Sequence, residues 1–385
     1  MVKEFFKNYV YPIATMSGSI IGVGFLSLPY IASRVGIWPM LFYFVILTAI
    51  VVLIHVILGE ISLRTPDFKR WPGFVGFYFG NWAKRIIVIP MILGSFGVLL
   101  AYLIVGSQFL NAIFSQIIEG DLLFYVFSYF IILSLAVYFG VKAISRLEFW
   151  AIVLLLISIL LIFIKGFFHI NLNNILIVNW ELGIGNFLLP YGAILFSLWG
   201  TALIPEAEEM IRGRKQSLKK IIIVATLIPA IIYLLFIFLV LGITGSQTTE
   251  SALVGVKNVL GNGISSIILF VGVITTFTAF IAHGLFLKKM FIYDLGIKEK
   301  FAWVLVCFTP LILYLLGFNS FITIVSFIGG VLLGVDGILI LLMYQKIGGS
   351  HSSHKASAWR RNIIIYPLML VFILGIIYSL IYFIK

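Results

Sequence analysis

An all-α polytopic membrane protein of about eleven spanning helices, arranged as two inverted halves, is predicted by three features of this sequence. Hydrophobic residues make up 62% of the 385-residue chain and charged residues 10%, with a mean hydropathy of +1.18; a soluble domain carries about 45–50% apolar and about 25% charged residues. The apolar residues fall into eleven stretches, and a bilayer crossing needs roughly 20 residues. These segments, numbered one to eleven, run from about 9 to 34, 37 to 63, 85 to 117, 122 to 141, 147 to 168, 184 to 211, 217 to 243, 263 to 292, 300 to 316, 319 to 346 and 362 to 384. Segments one and six are interrupted by glycine and proline at matching places. Little chain is left for a soluble domain.

The net charge of +12 is distributed asymmetrically. With the N-terminus taken as cytoplasmic, 22 of the 26 Lys and Arg lie in or beside cytoplasmic stretches, and only Arg34, Lys165, Lys257 and Lys385 fall elsewhere. This positive-inside bias explains the basic balance without nucleic acid. It also predicts a multi-pass protein of the cell membrane, N-terminus cytoplasmic and C-terminus outside. A charged tail before an apolar run can mimic a signal peptide, but no small-residue cleavage site follows, so the first helix is expected to be retained. The single cysteine, Cys307, excludes intrachain disulfides and reads as a packing residue.

Segment one carries G-S-I-I-G-V-G-F-L-S-L-P from Gly18 to Pro29. A spanning helix must satisfy its backbone internally, so irregular backbone at membrane depth survives only inside protein or along a cavity. Around such a break, freed N–H groups suit a carboxylate and freed carbonyls suit an ammonium or a cation. A glycine-rich helix-packing face is the alternative. In segment two, Glu60 and Arg64 stand four apart and can pair, with His55 deeper as a proton-site candidate. An amphipathic stretch, Phe68 to Trp82, follows and looks interfacial. Tyr102 of segment three lies near mid-depth, able to donate to a carboxylate or simply to pack. Segment six reads A-I-L-F-S-L-W-G-T-A-L-I-P-E-A-E-E from Ala193 to Glu209, with the break expected at Ser197 to Gly200. Segments one and six are five apart and so cross in opposite directions; interrupted helices at such places point to an inverted-repeat transporter with a midplane site.

G-S-I-I-G-V-G, F-S-L-W-G…E-A-E-E-M-I-R-G-R and E-I-S-L-R-T-P resemble signatures of the amino acid/polyamine/organocation superfamily. The eleven segments and the L-P-Y after the first break are closer to its amino acid/auxin permease branch, including the bacterial aromatic amino acid permeases. The resemblance implies a leucine-transporter-type 5+5 inverted repeat, with repeats at about 9–168 and 184–346 forming a core of residues 1–346, and 362–384 as an added helix. It implies that Gly22, Val23 and Gly24 offer N–H groups to a substrate carboxylate, that Ile20 and Phe196 carbonyls receive the ammonium, and that the Phe196 ring gates the site. Ser19, Ser197 and Gly200 belong to the same two breaks. No Asp or Glu occurs in segment one, segment three or the upper half of segment six, so a neutral substrate is expected. Phe25, Phe196 and Trp199 would favour an apolar or aromatic side chain.

In that fold a sodium ion sits between carbonyls of segment one and hydroxyls of segment eight, which implies Gly18, Ile21, Gly272, Thr275 and Thr276 here. Threonines bonding one turn back are the alternative. Asp336, ten residues before Lys346 and so about 15 Å deep, is either a proton carrier or a structural link, because an intramembrane carboxylate should face the bundle interior. His283 is a second proton candidate. Segment five has only Lys165, near its outer end, so no ammonium replaces the cation. The loop Gly348 to Ser357, with His351 and His354, reads as a linker rather than a metal site. No nucleophile stands beside a base, so no enzyme and no organic cofactor is expected. The expected function is symport of a neutral, apolar or aromatic L-amino acid with a cation, Na⁺ ahead of H⁺, the partners being that amino acid and the bilayer. A non-transporting receptor on the same fold, like the membrane subunit of spore germinant receptors, is the alternative.

Overall fold

The computed structural model describes residues 6–66, 69–140, 144–176, 188–211, 215–261, 263–293, 295–351 and 355–384, and the elements within them are helical. Lys142, Arg212, Arg214 and His354 lie outside them, as does Phe68 of the interfacial stretch. Segment one is Tyr11–Ile20, an irregular stretch, a 3-10 turn Gly24–Ser27 and Leu28–Val35, bent by 48° at the break. Gly36, at φ 84°, turns the chain into segment two, Ile37–Arg64; this left-handed conformation is one that glycine adopts without strain. The interfacial stretch forms the short helix Trp71–Phe79, and segment three follows as Asn81–Phe114. Segment six is Pro190–Leu198, a break, a 3-10 turn Thr201–Leu203 and Ile204–Met210.

Among the described residues seven helices are long and apolar enough to cross a membrane, and the bent first pair makes an eighth. The three other expected segments are Ile144–Gly166, the interrupted segment six, and Glu299–Leu315. Segment ten contains a π-helical turn, Ile328–Leu332, then continues as Leu333–His351, and segment eleven starts at Lys355. The expected loop Gly348 to Ser357 is therefore helical on both sides of three undescribed residues.

Two large buried clusters organise the bundle. One joins segments one, two, three, five, six, seven, eight, ten and eleven; the other joins three, four, eight and nine. Tyr102 and Val273 pack against both, which puts the central site on the seam between them. Segments six and ten meet backbone to backbone: a Cβ on Gly192 would lie 2.2 Å from the Ser326 carbonyl oxygen, and one on Gly329 would lie 1.8 Å from that of Gly192. Small residues permit such approaches between membrane helices.

Candidate substrate site

The helix Tyr11–Ile20 ends with Ile21 N–H donating to Ser17 at 3.1 Å, and Gly22 N–H closes a tight turn on the Ile20 carbonyl at 2.8 Å. Gly22 is therefore not a free donor, contrary to the expectation above. Among the described residues no acceptor meets the N–H groups of Val23, Gly24 or Phe25, at the start of the outer half-helix. The Ile20 carbonyl is not a free acceptor either, because the Tyr233 hydroxyl of segment seven also donates to it at 2.8 Å. The opposite end of the site is set by Pro190–Leu198, whose last carbonyls, including those of Phe196 and Ser197, receive no ladder bond beyond the break.

The two breaks touch. A Cβ on Gly24 would lie 2.6 Å from the Phe196 ring and 3.1 Å from Ser197 Oγ, and one on Gly200 would lie 2.6 Å from the Ile20 side chain. A cavity of about 40 Å³ lies beside the first break, lined by Gly18, Ser19, Ile21, Gly22, Val23, Tyr102, Ala151, Thr275, Thr278 and Ala279. That space suits about three waters at roughly 10–15 Å³ each, so an amino acid enters only if lining side chains such as Tyr102 move. A smaller void borders Phe25, Phe109, Gly272 and Thr275.

Several expected members stand elsewhere. Phe25 stacks on Tyr233 at 5.0 Å and meets Phe236 edge-on at 4.8 Å, so its ring belongs to the packing against segment seven. Trp199 turns toward His55 and Phe372 of segment eleven, with ring centroids 6.1 and 6.3 Å away. Thr276 faces segment four, where Tyr129 OH lies 2.8 Å from its Oγ1. It bonds its own helix at Gly272 and Val273 as well. The face of segment eight that meets segment one carries Thr275 and, one turn on, Thr278 and Ala279. Thr275 and Thr276 differ by about 100° around the helix, and the packing of segment four against Thr276 leaves Thr275 on the cavity.

Asp336 does not line the cavity. It is half-buried on segment ten beside the indole of Trp71, in a contact short of good hydrogen-bond geometry, and its neighbours Val335 and Leu339 pack against Val75, Ala83 and Ile87. His283 sits against Phe286 at 6.0 Å, its Nε2 buried without a partner, also off the cavity. Glu60 and Arg64 pair as expected. Thr278, Ala151 and Tyr233 were not singled out by sequence; for Tyr233, the single tyrosine of segment seven, a phenol midway along an apolar run was the available signal.

Comparisons with known proteins bear on the family and the fold. A family model described as the tryptophan/tyrosine permease family matches residues 7–381. Glutamine transporter 2 of Aliivibrio fischeri (strain ATCC 700601 / ES114) is 24% identical over 244 residues, and the match covers 61% of each chain's length. Among solved structures, MhsT in complex with L-phenylalanine aligns with a TM-score of 0.59 at 13% identity, covering 97% of this chain and 98% of that one. Mhp1, a nucleobase-cation-symport-1 family transporter in a closed conformation with bromovinylhydantoin bound, aligns with a TM-score of 0.64 at 12% identity, covering 97% and 90%. At these identities the structures establish the fold, which is of the leucine-transporter type. The chain carries several helices long and apolar enough to make it a multi-pass membrane protein, and it belongs to the tryptophan/tyrosine permease family.

Proposed function

We propose that the protein carries a neutral, apolar or aromatic L-amino acid across the cell membrane by cation symport, holding it between the breaks of segments one and six. The observation that carries this reading is the facing of free N–H groups at Val23, Gly24 and Phe25 by a half-helix ending at Leu198 with unbonded carbonyls. A zwitterion needs donors for its carboxylate and acceptors for its ammonium, and main chain supplies both. Among the described residues the cavity lining holds no carboxylate, which supports a neutral side chain. Tyr102, whose hydroxyl would lie 4.0 Å from a Cβ on Gly22, is the side-chain donor, and Phe196 is the gate. We place the chain in the aromatic amino acid permease branch, with the N-terminus cytoplasmic, the C-terminus outside, and segment eleven as an addition to a core of residues 1–346.

The coupling ion is proposed as Na⁺ ahead of H⁺. The groups that would hold it are main chain at Gly18 and Ile21 with the hydroxyls of Thr275 and Thr278, which border one cavity. Each hydroxyl donates to its own helix, Thr275 to Val271 at 2.8 Å and Thr278 to Thr275 at 3.1 Å, which leaves oxygen lone pairs for a hard cation. Bound there, the ion supplies positive charge that ties segment one to segment eight. The test is uptake of a labelled neutral amino acid panel by proteoliposomes, with Na⁺ or a large organic cation at fixed pH. Uptake of an apolar or aromatic member that requires Na⁺ supports the full reading. Uptake indifferent to Na⁺ that collapses without a proton gradient replaces the ion, and binding without flux makes the protein a receptor.

A further inference from the structure

We propose that His55 is a positioning residue that holds the break of segment six opposite the break of segment one, with segment seven as the bar to which both are fastened. The proposal relies on the reading above only in taking segment six as a wall of the substrate site. Gly200 lies at the break, and its N–H donates to His55 Nε2 at 3.1 Å. A backbone N–H can only donate, so Nε2 carries the lone pair. The other ring nitrogen, Nδ1, lies 3.0 Å from Thr226 Oγ1, and that hydroxyl donates its own hydrogen to the Ile222 carbonyl at 2.9 Å. The hydrogen on the ring is therefore on Nδ1, pointing at Thr226. One tautomer of a neutral imidazole satisfies every donor and acceptor in the chain, and the ring is fully buried.

The same helix fastens segment one. Pro229 has no N–H and so leaves the carbonyl of Ala225 without its helical partner; the Ser17 hydroxyl donates to that carbonyl at 3.0 Å. Tyr233, two turns beyond Thr226, donates to the Ile20 carbonyl at 2.8 Å. Ile20 in turn packs where a Cβ on Gly200 would stand, 2.6 Å away. His55 thus closes a loop from segment six through segment seven to segment one, and it touches neither the cavity nor the groups assigned to the substrate. It acts through Gly200.

The test compares His55→Gln, whose carboxamide oxygen can take the place of Nε2 as acceptor, with His55→Leu, which keeps bulk and loses the acceptor. Hydrogen exchange of a peptide covering residues 196–203 in the purified full chain is expected to be the same in wild type and His55→Gln. In His55→Leu it is expected to be at least about tenfold faster there, with the rest of the chain unchanged; tenfold corresponds to about 1.4 kcal/mol. Nitrogen NMR of the imidazoles, assigned with His55→Gln, should show a neutral ring protonated on Nδ1. In proteoliposomes, His55→Leu should raise KM for the transported amino acid about tenfold, and His55→Gln should restore it. Wild-type exchange in His55→Leu, or a ring protonated on Nε2, overturns the proposal. If His55→Leu cannot be recovered from the membrane, the imidazole spectrum decides. If no panel member is transported by wild type, the functional reading fails while the exchange and NMR results still judge His55.

Discussion

At the level of single residues, the site depends on what a methyl group would meet. A Cβ on Gly24 would stand 2.6 and 2.9 Å from two atoms of the Phe196 ring, closer than real Cβ contacts come. Overpacking of this kind costs roughly 1–3 kcal/mol, and here it falls on the gate. Gly24→Ala is expected to weaken amino acid binding by about tenfold or more at 1.4 kcal/mol per decade, with Gly24→Ala/Phe196→Leu recovering most of it, as isothermal titration would record. The threonines make a second contrast. Thr275 borders the cavity, whereas Thr276 is fully buried against Tyr129. Thr275→Ala should shift the Na⁺ dependence of uptake to higher concentration. Thr276→Ala should leave that dependence unchanged and lower thermal stability by about 1 kcal/mol, the usual worth of a hydrogen bond.

Among the elements, segment seven has the most to do for its plain appearance. A proline inside Lys215–Thr244 would ordinarily cost a helix one hydrogen bond, and here the orphaned acceptor is reused by Ser17. This makes a double-mutant cycle informative. Ser17→Ala alone leaves the Ala225 carbonyl buried and unsatisfied, an expense of about 1–3 kcal/mol. In Pro229→Ala, the restored N–H at position 229 can take that carbonyl itself, so adding Ser17→Ala should then cost little. A coupling energy of about 1 kcal/mol or more from thermal unfolding in detergent is expected; simple additivity would show that the two sites do not share the acceptor. The same logic applies at the breaks of segments one and six, where Tyr233 caps the Ile20 carbonyl and His55 caps the Gly200 N–H.

In the molecule as a whole, two clusters meet along a seam, and the contact of segments six and ten sets the geometry on one side of it. At Gly329 a Cβ would lie 1.8 Å from the Gly192 carbonyl oxygen, which is backbone and cannot step aside; at Gly337 it would lie 2.6 Å from the ring of Phe372, which can turn. Gly329→Ala should therefore abolish most folded protein, while Gly337→Ala should cost about 1–3 kcal/mol. Melting curves of the two purified variants, or the absence of one of them, check this ordering. The ring of Phe372 also meets Trp199, so segment eleven supports the break of segment six from outside.

The spans, the two breaks and the side bias of charge were legible in the chain because each is local. An apolar run of given length must cross, and glycine with proline must interrupt, whatever surrounds them. Within the stretches 18–29 and 197–200 the helix accordingly opens, at residues 21–23 and 199–200. The partners of the freed groups were not legible, because they come from distant parts of the chain: Tyr233 reaches Ile20 across 213 residues, and His55 reaches Gly200 across 145. Nor was rotation about a helix axis. An apolar helix surrounded by lipid and protein has little amphipathic pattern to report its facing, so packing alone decided that Thr275 and Thr278 border the cavity, that Thr276 meets Tyr129, and that Asp336 lies beside Trp71. Sequence determined where the backbone opens; tertiary structure decided which of the opened groups remain free for a substrate, because only packing brings caps to the others.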